Sequence, residues 1–195
     1  MTDEPQNSAP LFPSFLKLGG RKVVLVGGGR VAVAKHGGLV TAGARVTVVA
    51  PEIDPALRQG SAELVERGFQ PSDLDGAWFV VAAATPEVNR EVAAAADQRR
   101  LFVNAVDDPA SASAYAGGVV RRGPVTVAIS TGGGAPALAG LLREALEAVL
   151  PADLAEWLST ARALRPGWRA EGVPMEARRP LLLEALNRLY REERP

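Results

Sequence analysis

The chain has 195 residues, 47% of them hydrophobic, enough for one full domain plus a smaller appendage. It has no cysteine and a single histidine, His36, which excludes disulfides, cysteine-ligated iron–sulfur or zinc centres, a thiol nucleophile and poly-His metal sites. Formal net charge is zero, so nothing points to a general affinity for nucleic acid or anionic membrane, and no run approaches the roughly 18 apolar residues of a membrane span.

In chain order, the acidic, polar start MTDEPQNSAP reads as a disordered lead over 1–10. It has neither the basic start nor the apolar stretch of a secretory signal, so the expectation is a cytoplasmic protein. LFPSFLKL (11–18) is an apolar entry segment. RKVVLVGGG (21–29) is a buried strand running into a glycine turn, and a helix follows from Val31 to about Ala42. AGARVTVVAP (42–51) holds a second strand, completing β-turn-α-β in about 30 residues, the length of one βαβ unit. AELVERGF (62–69) is a partly polar third strand, and GAWFVVAAAT (76–85) a fully apolar one ending in small residues. Pro86 to Arg100 is a helix with Pro at its start and apolar spacing at Val88, Val92 and Ala95/Ala96. LFVNAVDD (101–108) is a fifth strand with polar residues at its C-terminal end. This alternation predicts an α/β fold, a Rossmann-type parallel sheet with helices on both faces.

The pattern then changes. Ser111–Thr131 reads as two strands around an RRGP turn. Gly132–Leu150 is a glycine turn and an amphipathic helix, with Leu138, Leu141/Leu142, Ala145/Leu146 and Val149 on one face. Ala152–Leu164 repeats helical spacing, RPGWRAEGVP (165–174) reads as a loop, and a last helix follows that Pro180 kinks or begins. The expected plan is therefore the lead (1–10), a Rossmann domain (11–110), a small α+β segment (111–150) and a C-terminal helical region (151–195).

Gly27-Gly28-Gly29-Arg30-Val31-Ala32 fits G-x-G-x-x-A, and it follows a strand and opens a helix, the context a dinucleotide site requires. Gly27 allows the tight turn, Gly29 lets the backbone approach a pyrophosphate, and Ala32 permits close helix–strand packing. The helix N-terminus offers free N–H groups to the phosphates. The acid expected at the end of strand two is missing: that strand ends VVAP (48–51), with Glu52 beyond the proline, so NAD and NADP stay open on the residues alone. His36 reads as a packed or surface residue of the first helix. Gly132–Gly134 lacks a following Gly-Lys-Ser/Thr and is not a phosphate loop of the NTPase type.

Several segments, in order, resemble one family. GGRKVVLVGGGRVAVAK, AGARVTVVAPE, FVVAAATPEVNREV, FVNAVDDP and RGPVTVAISTGGGAPALAGLLREALE are similar to the precorrin-2 dehydrogenase and sirohydrochlorin ferrochelatase family, including the N-terminal module of siroheme synthase. The likeness covers roughly 11–150; the C-terminal helices match more loosely. It implies oxidation of precorrin-2 to sirohydrochlorin with NAD as hydride acceptor, in a homodimer joined through about 111–150. Some members also insert ferrous iron or cobalt. With no methyltransferase segment before Pro195, the implied role is to receive precorrin-2 rather than make it.

By position, the resemblance places Arg30 and Val31, with Gly27, Gly28 and Gly29, at the cofactor, and Ala50 and Pro51 beside it. Asp107 takes the place of the catalytic aspartate. Asn104, Ser130 and Thr131 are substrate-side candidates, and no protein metal site is implied. Asn104 and Asp107 lie near the C-terminal end of a parallel strand, the edge where such folds bind ligands, and a carboxylate there can take a proton as hydride leaves. On the residues alone, Asp107 or Asp108 could instead cap the Pro109 turn. The stretch SAYAGGVV departs from the family pattern: Tyr115 is displaced, and Gly117-Gly118 stand where a proline pair is usual. Two other functions fit the glycines: an NAD(H)-sensing regulatory domain without turnover, and another Rossmann oxidoreductase.

Overall fold

The computed structural model describes residues 10–192; the expected disordered lead lies, but for its last residue, outside them. The chain divides into two compact units. One runs through Ala116 and takes in Gly132–Gly134; the other holds Gly117–Thr131 and Ala135 onward.

The first unit is a five-stranded sheet. Its elements are β1 (Lys22–Val26), α1 (Arg30–Thr41), β2 (Arg45–Val49), α2 (Pro55–Arg58), β3 (Glu63–Val65), β4 (Phe79–Ala82), α3 (Pro86–Gln98) and β5 (Val103–Ala105). Strand order is β3-β2-β1-β4-β5, every pair parallel. This is the doubly wound order, with its reversal between β1 and β4. The continuous apolar run in β1 follows from burial on both faces. Val23 and Leu25 pack with Val46, Val48, Ala32 and Leu39 on one side. Val24 and Val26 pack with Val80, Ala82, Val92 and Ala96 on the other. Strands β3 and β5 are shorter than their apolar patterns suggest, three residues each.

The second unit begins with an antiparallel hairpin of β6 (Gly118–Arg122) and β7 (Val125–Ile129), turned at Gly123 with φ 53°. Three helices follow: α4 (Pro136–Val149), α5 (Leu154–Ala170) and α6 (Met175–Glu192). Helix α4 lies close on β6 because both surfaces are small there. A Cβ at Gly118 would stand 2.9 Å from the Ala139 carbonyl oxygen, and Ala139 is the buried residue of α4. The apolar stripe of α4 is largely bare: Leu138, Leu141, Leu142 and Val149 are 49%, 65%, 42% and 74% exposed.

The expected loop at 165–174 needs correction. Helix α5 runs through Pro166 and Gly167 to Ala170. Proline inside a helix removes one donor and strains one turn, which a helix of this length survives. The stop comes at Gly172, in the left-handed region with φ 65°. There Val173 N–H donates to the Trp168 carbonyl and Gly172 N–H to that of Arg169, the paired bonds of a Schellman motif. Likewise, Pro180 does not begin α6 but lies inside it. Among the described residues no helix is long and apolar enough to cross a membrane.

Candidate functional site

The C-terminal ends of β1, β2, β4 and β5 carry the residues singled out in the sequence. Gly27 sits at the end of β1 with φ 123°, a conformation open to glycine. Its N–H donates to Val49 and a Cβ would collide with the Ala83 carbonyl oxygen of the β4 loop. Gly29 caps α1 without any side-chain acceptor, and no acidic residue occupies the first turn. The first intrahelical bond is Val33 N–H to the Gly29 carbonyl, so the N–H groups of Arg30, Val31 and Ala32 stay available at the positive end of the helix. A Cβ at Gly29 would meet no protein atom within 4 Å. Arg30 and Val31 are exposed, and Ala32 is buried against the sheet. An open, uncapped helix N-terminus after a close-packed glycine turn fits the pyrophosphate of a dinucleotide.

Gly28 has a role that the motif alone does not reveal. The segment after β2 folds over it: Asp54 N–H donates to the Gly28 carbonyl at 2.8 Å, and a Cβ on Gly28 would strike the Glu52 carbonyl oxygen and lie 3.0 Å from the Ala50 methyl. Ala50 is therefore buried as part of this wall, while Pro51 and Glu52 are exposed. The Asp54 carboxylate caps α2 by accepting from Ala56 N–H. Sequence reasoning also gave Asn89 no role. It is 2% exposed and its Oδ1 accepts from Ala84 N–H at 3.1 Å, fixing the β4 loop that crowds Gly27. The available signal was its place four residues after Thr85, the N-cap of α3.

At the end of β5 the two aspartates differ in bonding. Asp108 Oδ1 accepts from Ser111 N–H, capping the short 3-10 turn Pro109–Ser111. That leaves Asp107 exposed, with no hydrogen bond or ion pair to another described residue, and in the left-handed region with φ 57°. Aspartate tolerates that region better than most side chains. Asn104 is 6% exposed. Its Nδ2 donates to the Ala114 carbonyl at 3.0 Å, while Oδ1 is buried without a partner. Beside it, Ser113 Oγ accepts from Val103 N–H, and the N–H groups of Ser113 and Ala114 donate to the Val103 carbonyl. The chain thus leaves β5, turns at Asp107 and doubles back onto the strand.

In the second unit, Thr131 Oγ1 accepts from Ala135 N–H at the entrance to α4. Ser130 is exposed after β7. The structure keeps these two with the hairpin rather than with the sheet. His36 lies on α1 against Gly60, where a Cβ would stand 2.8 Å from its Cε1; its Nε2 is buried without a partner. Among the described residues no cluster of three His, Asp or Glu could hold a metal ion.

Comparison with known proteins agrees with this geometry. Residues 14–118 match a family described as NAD(P)-binding, and residues 122–148 match the sirohaem biosynthesis protein central family. Siroheme synthase 3 of Aeromonas hydrophila subsp. hydrophila is 46% identical over 173 residues, spanning 86% of this chain and 37% of that protein. Siroheme synthase of Pseudomonas entomophila is 44% identical over 159 residues, 79% of this chain and 34% of that one. The chain therefore spans little more than a third of these relatives. Among solved structures, "SirC, precorrin-2 dehydrogenase" superposes with a TM-score of 0.65 at 24% identity, covering 89% of this chain and 88% of that one; at that identity the likeness establishes the fold.

Proposed function

The chain belongs to the family of NAD(P)-binding siroheme-biosynthesis proteins, and from that premise we propose that it oxidises precorrin-2 to sirohydrochlorin with NAD as the acceptor. The observation that carries the reading is a pairing on one sheet edge. An uncapped helix N-terminus follows β1, and an unpartnered carboxylate, Asp107, follows β5. A nucleotide sensor needs only the first of these.

The reaction removes two hydrogens from the macrocycle, one as hydride and one as a proton. Bound NAD would supply the hydride acceptor. The protein's part is to hold the dinucleotide and take the proton. The N–H groups at the start of α1, with Gly29, hold the pyrophosphate. The wall of Ala50 and Pro51 flanks the cofactor. The Asp107 carboxylate accepts the proton and, being exposed, returns it to water. Asn104 supports that turn from below by holding Ala114; Ser130 and Thr131 are assigned to the substrate side.

The segment after β2 favours NAD over NADP. Residues 50–54 contain no Lys or Arg. Arg58 and Arg67 further on are engaged at 2.6 Å with Glu66 and Asp73, so neither is a free cation for a 2′-phosphate. The assembly proposed is a homodimer joined through 111–150, supported by the bare apolar stripe of α4.

The test is anaerobic incubation with precorrin-2 and NAD, following NADH and the sirohydrochlorin spectrum. Asp107→Asn keeps the left-handed backbone accessible and removes the charge. Its turnover should fall about 10²–10⁴-fold, the range for losing a general base, with NAD affinity unchanged. Unaltered turnover would remove Asp107 from the mechanism.

A further inference from the structure

Tyr115 stands in the stretch where this chain departs from its family's pattern, and the structure gives it neighbours the sequence does not suggest. Gly133, with φ 81°, lies so close to the ring that a Cβ would stand 2.7 Å from Tyr115 Cε1, 3.1 Å from Cδ1 and 3.5 Å from Pro109 Cγ. The phenol oxygen is 3.5 Å from the Pro109 carbonyl oxygen, too long for a strong hydrogen bond. The contact is therefore chiefly one of shape, the ring seated on Gly133 with its phenol oxygen beside the Pro109 carbonyl. The residue just before Tyr115, Ala114, is tied to β5 through Asn104 and Val103. The Asp107–Ser111 turn is thus held at its base by β5, at its end by the Asp108 cap, and on its flank by the Tyr115 ring. Asp107 itself makes no bond that would fix it, so its placement rests on that frame.

We propose that Tyr115 is a positioning residue for the dehydrogenation: its ring, held against Gly133 and Pro109, fixes the turn that presents Asp107. This rests on the assignment of Asp107 as the proton acceptor. A displacement of about 1 Å in such a group can cost about 10²-fold in rate, so a lost ring is felt in kcat rather than in binding. The glycine at 133 follows from its left-handed backbone, φ 81°, and from the same packing. The second glycine cluster serves the Asp107 turn, giving the ring a face without a side chain.

The test compares Tyr115→Phe, Tyr115→Ala and Asp107→Asn in the full chain. Tyr115→Phe keeps the ring and should stay within about twofold of the parent. Tyr115→Ala should lower kcat about 10–10²-fold, with NAD affinity and the KM for precorrin-2 little changed and the folded fraction intact by circular dichroism. Adding Gly133→Ala to the parent should also lower kcat. In the Tyr115→Ala background the same change should lower kcat less than it does in the parent, because the ring it would strike is gone while the strain of a Cβ at φ 81° is common to both. The proposal is overturned if Tyr115→Ala raises only the KM for precorrin-2, which would make Tyr115 a substrate contact. A loss of rate matched by an equal loss of folded protein, or additive losses in the double variant, would also overturn it. Should Asp107→Asn retain full turnover, the assignment of the base fails, a different result from an inactive Asp107→Asn beside a fully active Tyr115→Ala.

Discussion

The two units solve the problem of burial in opposite ways. The first encloses both faces of its sheet, with Val23, Val24, Leu25, Val48, Val49, Val80 and Val92 all at 0% exposure. In the second, among the described residues, Val120, Ala139 and Leu154 alone are buried hydrophobics, while α4 turns leucines outward. A contiguous apolar stripe on one helix face is the kind of surface that marks an interaction site. The first unit closes its own core, whereas the second leaves an apolar face that the proposed second copy would cover.

The largest effects come from attacking each unit where it is thought to be held. Leu25→Ala empties a site in the first unit and should cost about 2–5 kcal/mol in denaturant unfolding. Leu141→Asp, at a position 65% exposed in one chain, should cost less than about 0.5 kcal/mol if water covers it. If a second copy covers it, the variant should sediment as a monomer at micromolar concentration where the parent is a dimer. A parent that is monomeric and fully active under those conditions would end the assignment and leave the contrast between the units unexplained.

Within the first unit the glycine turn divides the same way, into what the protein fills and what it leaves open. Gly28→Ala drives a methyl into the Glu52 carbonyl and should destabilise by about 1–3 kcal/mol. Gly29→Asp meets nothing in the protein, so stability should hold while the added charge repels the pyrophosphate. Calorimetry should find NAD binding lost in a well-folded variant; NAD binding equal to the parent's would mean that the dinucleotide lies elsewhere.

This division explains how much the sequence could disclose. The alternation of strand and helix, the G-x-G-x-x-A turn and the polar end of β5 are local patterns, and each stands where its residues predicted. The role of Gly28 is not local, because the carbonyl that crowds it belongs to Glu52. Nor is that of Gly133, whose neighbour is Tyr115. Asp107 and Asp108 are indistinguishable as adjacent letters and separate only when one accepts the Ser111 N–H. At α5 the difference is one of weight. Pro166 and Gly167 suggest a break, yet the helix stops only at Gly172, whose left-handed backbone ends it.

A smaller effect concerns acid. Asp73 in the first unit has a side chain only 9% exposed, paired with Arg67 at 2.6 Å, and accepts from Gln70 N–H. The hydrogen bond from Arg67 is the main cause that lowers its pKa, with burial opposing. A carboxyl with a folded pKa below the unfolded one stabilises the fold above the unfolded value, about 3.9. That contribution is lost as pH falls through the folded value. In the second unit, the ion pairs of Arg143 with Glu144 and Glu147 and of Arg188 with Glu184 lie on exposed helix faces and should contribute little. Asp73→Asn should therefore lower stability at pH 7 and flatten its fall as pH drops below the unfolded value, about 3.9. An acid transition as steep as the parent's would place the responsible carboxylates elsewhere.

The smallest effect compares the two units directly. Helix α3 ends like α5: Arg100 N–H donates to the Asp97 carbonyl and Leu101 N–H to that of Ala96, both at 2.9 Å. The residue in the left-handed position is Arg100, φ 57°, where α5 has Gly172, φ 65°. An L-residue with a Cβ is disfavoured there by about 1–2 kcal/mol, and glycine gives back about 0.5–1 kcal/mol in chain entropy. No hydrogen bond or ion pair holds the Arg100 side chain among the described residues, so nothing offsets the strain. Arg100→Gly should raise stability by up to about 1 kcal/mol, and Gly172→Arg should lower it by a similar amount, both read from denaturant midpoints at unchanged slope. If Arg100→Gly were neutral or destabilising, the left-handed backbone at Arg100 would carry no net strain.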